Sequence, residues 1–278
     1  MNTLDILTED IEGVNERLAA LADLPELQDF LAAPAKRIRP TLALLYLRAN
    51  GWEVDERIYS FLSAIELIHN ASLIHDDIID ESPNRRGNPA LHAALGSKLA
   101  VISGDYLLSK AMTEVSKLDS VELIALLAET MQKMCLGELS QQYNRFKALS
   151  VDEYLLKSEQ KTASLFEAAV AGCLVIARNA VTKQSHNHHS DEIAALPLVA
   201  RNDAGADNFA RNFGIAFQIR NDLDSKQDIE NGIFNCASAE LLEIYVEKAL
   251  DCLNCLEENK YKSALIELTE RLKNERPA

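Results

Sequence analysis

Proline and glycine are scarce in this sequence, at 7 and 10 among 278 residues. No proline lies between Pro89 and Pro197, nor between Pro197 and Pro277. A sheet protein needs turn residues far more often than that, so long helices are the economical reading. Positive charge is also short. The formal charge is −15 and the pI is near 4.9. That argues against nucleic acid as a general partner, because a phosphate backbone requires a basic face. Small phosphorylated ligands stay open, since a local Arg and Lys cluster acts inside an acidic protein. Apolar runs of about 18 residues are missing, so no membrane span is expected. The opening MNTLDILTEDIE lacks the basic and apolar regions of a secretory signal. The five cysteines are odd in number, which fits a reduced chain better than a disulfide framework. A soluble, cytoplasmic protein is the expectation.

Hydrophobic residues make up 47% of the chain, enough for a sizeable core. They recur at helical spacing almost throughout. The pattern predicts helices over 58–79, 97–115, 121–146, 151–180, 207–225, 241–258 and 261–274, with shorter helices before Pro40. No internal repeat or low-complexity linker interrupts them. One all-α domain over 1–278 is expected, with its core between antiparallel helices. Two side features have bland readings. Cys252 and Cys255 form a lone C-x-x-C in a helical stretch, read as small packing residues rather than a metal pair. His186, His188 and His189 in TKQSHNHHSDE (182–192) offer metal ligands or simply a solvated loop.

The chemistry concentrates in LIHDDIIDESPNRRGN (73–88). Asp76 and Asp80 are four residues apart and share a helix face. Asp77 lies about 100° round the axis. Carboxylate oxygens suit hard cations such as Mg²⁺, which keeps waters and bridges to phosphate oxygens. Three acids on an apolar helix are costly to bury unless paired or metal-bound. Arg85 and Arg86 add forked donors matched to phosphate. Acids for a metal plus arginines for phosphate describe a diphosphate site. A solvated acidic helix end followed by a basic turn would give the same letters, and flanking sequence decides between them.

That flanking sequence resembles the trans-isoprenyl diphosphate synthases, the polyprenyl synthetases. ELIHNASLIHDDIIDESPNRRGNPALH (66–92) looks like their first aspartate-rich region. AKRIRP (35–40) resembles the family's GKRxRP element, with Ala35 in place of glycine. SGDYLLSKA (103–111), GELSQQ (137–142), KTASLF (161–166) and GIAFQIRNDLD (214–224) follow in the family's order. The resemblance implies an all-α bundle around a deep apolar cavity, usually a homodimer. It implies condensation of isopentenyl diphosphate with an allylic diphosphate, with two or three Mg²⁺ ions. By the same resemblance, Asp76 and Asp80, supported by Asp77, hold metal on the allylic diphosphate. Arg85 and Lys161 contact that diphosphate, with Thr162 and Gln218 nearby. Lys36, Arg39, His69 and Arg86 bind isopentenyl diphosphate.

The second aspartate-rich motif departs from the family's FQxxDDxxD. It reads FQIRNDLDS (217–225), with Asn221 and Ser225 at two acid positions. Asp222 remains. The following SKQDIENGIFN (225–235) replaces a longer loop, and Ile233 stands where a lysine belongs. Asn221, Asp222 and Ser225 are therefore a weakened set of metal ligands. The Asn221 and Ser225 pair resembles the metal motif of class I terpene synthases, although that motif's acid is Ile229 here. A cyclase is one alternative, and a regulatory subunit of a heteromer is another. The isopentenyl diphosphate residues favour the prenyltransferase. Ala71 and Ser72, about one turn below the metal, are small where the family's short-chain members carry aromatics. With Ile68 one turn further down as the next floor, they imply a C20 or longer product.

Overall fold

The computed structural model describes residues 3–33, 35–185, 196–225, 227–230, 232–233 and 235–274. The histidines of the 182–192 stretch lie outside them. The architecture is a helical bundle: α1 (Thr8–Leu21), α2 (Pro25–Ala32), α3 (Ile38–Ala49), α4 (Glu56–Ile79), α5 (Leu91–Leu95), α6 (Ser97–Ser116) and α7 (Val121–Tyr143). It continues with α8 (Val151–Ser158), α9 (Ser164–Ser185), α10 (Leu196–Asp224), α11 (Gln227–Glu230), α12 (Ala239–Cys252) and α13 (Lys260–Asn274). Short 3₁₀ turns, Thr3–Leu7 and Leu253–Cys255, precede α1 and follow α12.

Two helices are apolar nearly all round and sit in the middle, as such helices must. In α3, Leu42 to Leu47 is buried without a break. In α4, burial runs over Phe61–Ile68 and resumes at Asn70, Ala71 and Ile74. Asp55 starts α4 by accepting hydrogen bonds from the amides of Arg57 and Ile58. Around this pair, α4 packs on α6, α1 and α9, and α3 packs on α9 and α13. Helix α12 lies along α10. Phe166, Phe209 and Phe213 fill the space between α9 and α10, and Tyr46 of α3 stacks on Phe209 at 5.6 Å between ring centres.

Three features refine the expectations. Helix α3 begins at Ile38, so Pro40 lies in its first turn, where no intrahelical N–H is required. The stretch read as one helix over 151–180 is broken by a π turn, Glu159–Ala163. The segment Val151–Ala180 is long and apolar enough to cross a membrane by length and composition, but 72% of its apolar window is buried inside the protein. Finally, α4 gives way to a two-stranded hairpin, β1 (Asn84–Arg85) and β2 (Asn88–Pro89). Its turn residues Arg86 and Gly87 have φ of 52° and 82°. Positive φ at both central positions is what a tight two-residue hairpin needs.

Candidate active site

A cavity of 780 Å³ opens between α3, α4, α6, α7, the π turn and α10. Its lower wall is apolar, with Ile68, Leu108, Met131, Met134 and Leu139. Charged groups gather at its mouth from separate elements.

The carboxylate side is built by the end of α4. Asp76 lines the cavity and lies 3.8 Å from the ammonium of Lys161. Burial pushes the Asp76 carboxyl up to about 6, against the pull of Lys161. Asp80 caps the helix, and its Oδ1 is buried with no hydrogen-bond partner among the described residues. Burial raises its carboxyl too. Asp76 lines the cavity and Asp80 lies one turn beyond it, off the wall; the orphaned Asp80 oxygen beside a second carboxylate is a donor set that fits Mg²⁺. No three His, Cys, Asp or Glu side chains are grouped to hold an ion alone among the described residues. An ion there therefore needs phosphate oxygens to complete its shell, the usual habit of Mg²⁺.

Asp77 is not part of that donor set. It is 1% exposed and does not line the cavity; its oxygens accept from Arg85 Nε at 2.9 and 3.1 Å and from Arg85 Nη2. The reason is the 100° step between neighbours on a helix. Asp77 holds Arg85, and Arg85 lines the cavity.

Lys161 is positioned by the π turn and by two glycines. A Cβ on Gly137 of α7 would come within 2.6 Å of the Lys161 backbone nitrogen. A Cβ on Gly214 of α10 would come within 2.6 Å of Ala163 Cα. Only glycine permits these approaches, so the turn is gripped from both sides. π turns are frequent at functional sites because they re-aim side chains. Here the ammonium also bonds Glu138 of α7. Burial pulls the lysine down, but Asp76, Glu138 and Asp80 together hold it above its ordinary value. Burial likewise pushes Glu138 up, and Lys161 brings it below its ordinary value. Sequence reasoning does not single out Glu138. Its signal is its place in GELSQQ, where Gln142, one turn on, donates to it at 2.8 Å. Thr162 donates to Gln218 Oε1 at 2.5 Å, and both line the cavity.

The basic side comes from α3, α4 and the hairpin. Lys36, Arg39, His69 and Arg86 all line the cavity. Arg39 is buried, its guanidinium 4.7 Å from the centre of the Phe166 ring, and its Nε has no partner among the described residues. Burial lowers it to about 10. Arg37 beside it is committed elsewhere: it pairs with Glu66 at 2.9 Å and donates to Asn15 and the Leu31 carbonyl. Burial and the nearby Arg39, Arg86, Arg37 and Arg85 push His69 well below its ordinary value. This concentration of positive charge suits a second diphosphate.

The second motif is arranged differently. Asn221 lines the cavity, whereas Asp222 and Ser225 do not. Asp222 Oδ2 accepts from Tyr154 at 2.8 Å and Oδ1 from Gln218 at 2.6 Å. Ser225 Oγ accepts from the Asp228 amide at 3.3 Å. An ion would need Asp222 to give up a protein partner, so these three residues do not fit a metal as they stand. Ile233 is buried.

On the cavity floor, Ile68 and Ser72 line the wall. Ala71 does not: it is fully buried in the core one helical step away. Cys252 and Cys255 are free, and their thiols donate to the carbonyls of Lys248 and Cys252.

A helical bundle with this cavity is the isoprenoid synthase fold. It superposes on a polyprenyl synthase from Caulobacter crescentus, solved with calcium and isoprenyl diphosphate, with a TM-score of 0.85 over 99% of this chain and 97% of that one, at 22% identity. An isoprenoid synthase family member from Thermotoga neapolitana gives 0.76 at 26% identity, over 96% and 99% of the two chains. The chain belongs to the polyprenyl synthetase family, whose model matches residues 24–232. It is 32% identical over 228 residues to a prenyl transferase of Cyanophora paradoxa, covering 80% of this chain and 64% of that protein. It is 32% identical over 241 residues to the chloroplastic solanesyl diphosphate synthase 1 of Arabidopsis thaliana, covering 81% and 54%. It is 33% identical over 244 residues to a short chain isoprenyl diphosphate synthase of Methanothermobacter thermautotrophicus, covering 83% and 69%. The chain thus spans little more than half of some of these relatives.

Proposed function

We propose that this chain is a Mg²⁺-dependent trans-prenyltransferase, a single polyprenyl synthetase domain. It condenses isopentenyl diphosphate with an allylic diphosphate to give a polyprenyl diphosphate of C20 or longer. One observation carries the reading. A carboxylate and lysine pair (Asp76, Lys161) faces an arginine and histidine side (Arg39, His69, Arg86) across one cavity with an apolar wall, and Asp80 stands one helical turn beyond Asp76 at the end of α4. Two diphosphates thereby meet above a dry channel.

Held by Asp76 and Asp80, Mg²⁺ would supply positive charge to the leaving diphosphate as the allylic C–O bond breaks. Lys161, Arg85, Thr162 and Gln218 bind and orient that diphosphate. Lys36, Arg39, His69 and Arg86 hold isopentenyl diphosphate so that its double bond approaches the allylic carbon. The apolar wall keeps water from the carbocation. Carbon–carbon bond formation leaves a proton to be lost, and the released diphosphate is the nearest strong base. Ile68 and Ser72 sit where the growing tail descends.

The test separates the two sides. Arg39→Ala should raise KM for isopentenyl diphosphate by about tenfold or more, as expected for a buried charge-assisted contact. Hydrolysis of the allylic diphosphate alone should persist. Loss of both activities together would contradict the division of roles.

The proposal includes a homodimer. It is supported by Leu99, Val101 and Ile102, which leave α6 exposed and apolar, Ile102 at 62%. Ile102→Glu should shift the protein to monomer in light scattering. Mixed dimers that form only with a homologous chain would replace this part of the reading. A cytoplasmic location is also proposed, supported by free thiols at all five cysteines.

A further inference from the structure

Lys157 has no role in the account so far. It lies on α8, four residues before Lys161, and is 2% exposed. Its ammonium sits 5.1 Å from the centre of the Tyr154 ring. No hydrogen bond or ion pair of its own holds it among the described residues. A buried ammonium with three donors and no hydrogen bond of its own is a charge that its neighbours must balance.

Its surroundings belong to the second motif. The hydroxyl of Tyr154 bonds Asp222, Asp222 bonds Gln218, and Gln218 bonds Thr162 on the cavity wall. The network thus runs from Tyr154, whose ring Lys157 faces, to the cavity, which Lys157 itself does not line. Around Lys157, the carboxylates of Asp222, Asp228 and Glu138 draw its charge, and Lys161 opposes it. Two of the three acid positions in this motif are Asn221 and Ser225, and the remaining acid has each oxygen engaged. This edge has lost acids and holds a buried cation.

We propose that Lys157 supplies from the protein the positive charge at this edge of the allylic diphosphate, so that the second motif binds no divalent ion. The inference rests on the reading of the cavity as an allylic diphosphate site. Two effects follow. Only the Asp76 and Asp80 side takes metal, and the ammonium contributes to diphosphate affinity through the edge lined by Gln218 and Asn221. Burial lowers Lys157 from its ordinary value, against the pull of Asp222.

The test counts ions. A non-ionising thiolo-diphosphate analogue of the allylic substrate would be titrated with Mn²⁺ on the full-length protein, free Mn²⁺ being read by electron paramagnetic resonance. Two ions per chain at saturation are expected, and three would overturn the inference. Lys157→Met keeps side-chain length and removes charge. It should weaken analogue binding by about threefold at saturating metal, the scale of one charge acting without direct contact. Its KM for isopentenyl diphosphate should not change. Unchanged analogue affinity in a variant with native circular dichroism would overturn the inference. The wild-type ion count stands even if that variant does not fold. Failure of the wild type to bind the analogue would sink the substrate reading and this inference together, whereas binding with three ions would sink the inference alone.

Discussion

Asp77 grips Arg85 through both carboxylate oxygens, at 2.9 and 3.1 Å from Nε, and so ties the last turn of α4 to the hairpin that follows. The aspartate is 1% exposed, while the arginine opens onto the cavity. Burial pulls the guanidinium down, but Asp77, with Asp76 and Asp80, outweighs it and raises Arg85 above its ordinary value. Asp77 is therefore a positioning residue.

Asp77→Asn tests that role. It should cost about 2 kcal/mol of stability, between a broken buried pair and a surface pair. KM for the allylic diphosphate should rise, while the Mg²⁺ concentration for half-maximal rate stays near wild type. A large loss of metal affinity would instead make Asp77 a ligand.

Ser72→Phe should shorten the product, because Ser72 lines the cavity below Asp76. Ala71→Phe should act on folding instead. Ala71 is fully buried away from the wall, and overpacking costs about 1–3 kcal/mol. Chromatography of the products, with urea unfolding of both variants, distinguishes the two. Shortening by Ala71→Phe at unchanged stability would contradict the assignment.

Gly137→Ala should destabilise by about 1–3 kcal/mol, because its methyl meets the Lys161 backbone at 2.6 Å. It should also lower kcat, since Lys161 can no longer sit where Asp76 and Glu138 hold it. A variant with wild-type unfolding and turnover would show that the π turn tolerates displacement.

His69 sets an acid limit. Its folded pKa is depressed below the ordinary 6.5 by burial and the neighbouring arginines. The stability it contributes is complete above 6.5 and is lost as pH falls below that value. Asp76 acts in the opposite sense. Its folded pKa is raised to about 6, so its contribution is present below 3.8 and is lost as pH rises to about 6. The readout is therefore the difference between wild type and His69→Gln in thermal midpoint from pH 7.5 to 5. The wild type should fall more steeply on acidification. Parallel curves would contradict the depressed imidazole.

The bundle was legible because helical periodicity is long-range and repeated. The predicted 58–79 corresponds to Glu56–Ile79, and 97–115 to Ser97–Ser116. The π turn at Glu159–Ala163 was not, because one extra residue leaves apolar spacing almost unchanged on either side. Strands of two residues are too short for alternation to register, so the hairpin was also hidden. Within the site, residue types and motif order pointed to the cavity-lining groups. What spacing could not resolve was direction. Asp77 and Ala71 each lie one residue from a cavity-lining neighbour, and one residue turns a helix by about 100°. Lys157 and Glu138 stayed silent for a different reason, since only folding brings Glu138 to Lys161 and Lys157 to Asp222.

The most direct test of the central claim uses the purified protein with Mg²⁺, labelled isopentenyl diphosphate and each of the C5, C10, C15 and C20 allylic diphosphates in turn. Products are resolved by chain length. The account predicts incorporation of label and a ladder ending at C20 or beyond. Hydrocarbon or alcohol formed from the allylic diphosphate alone, without label, would contradict it.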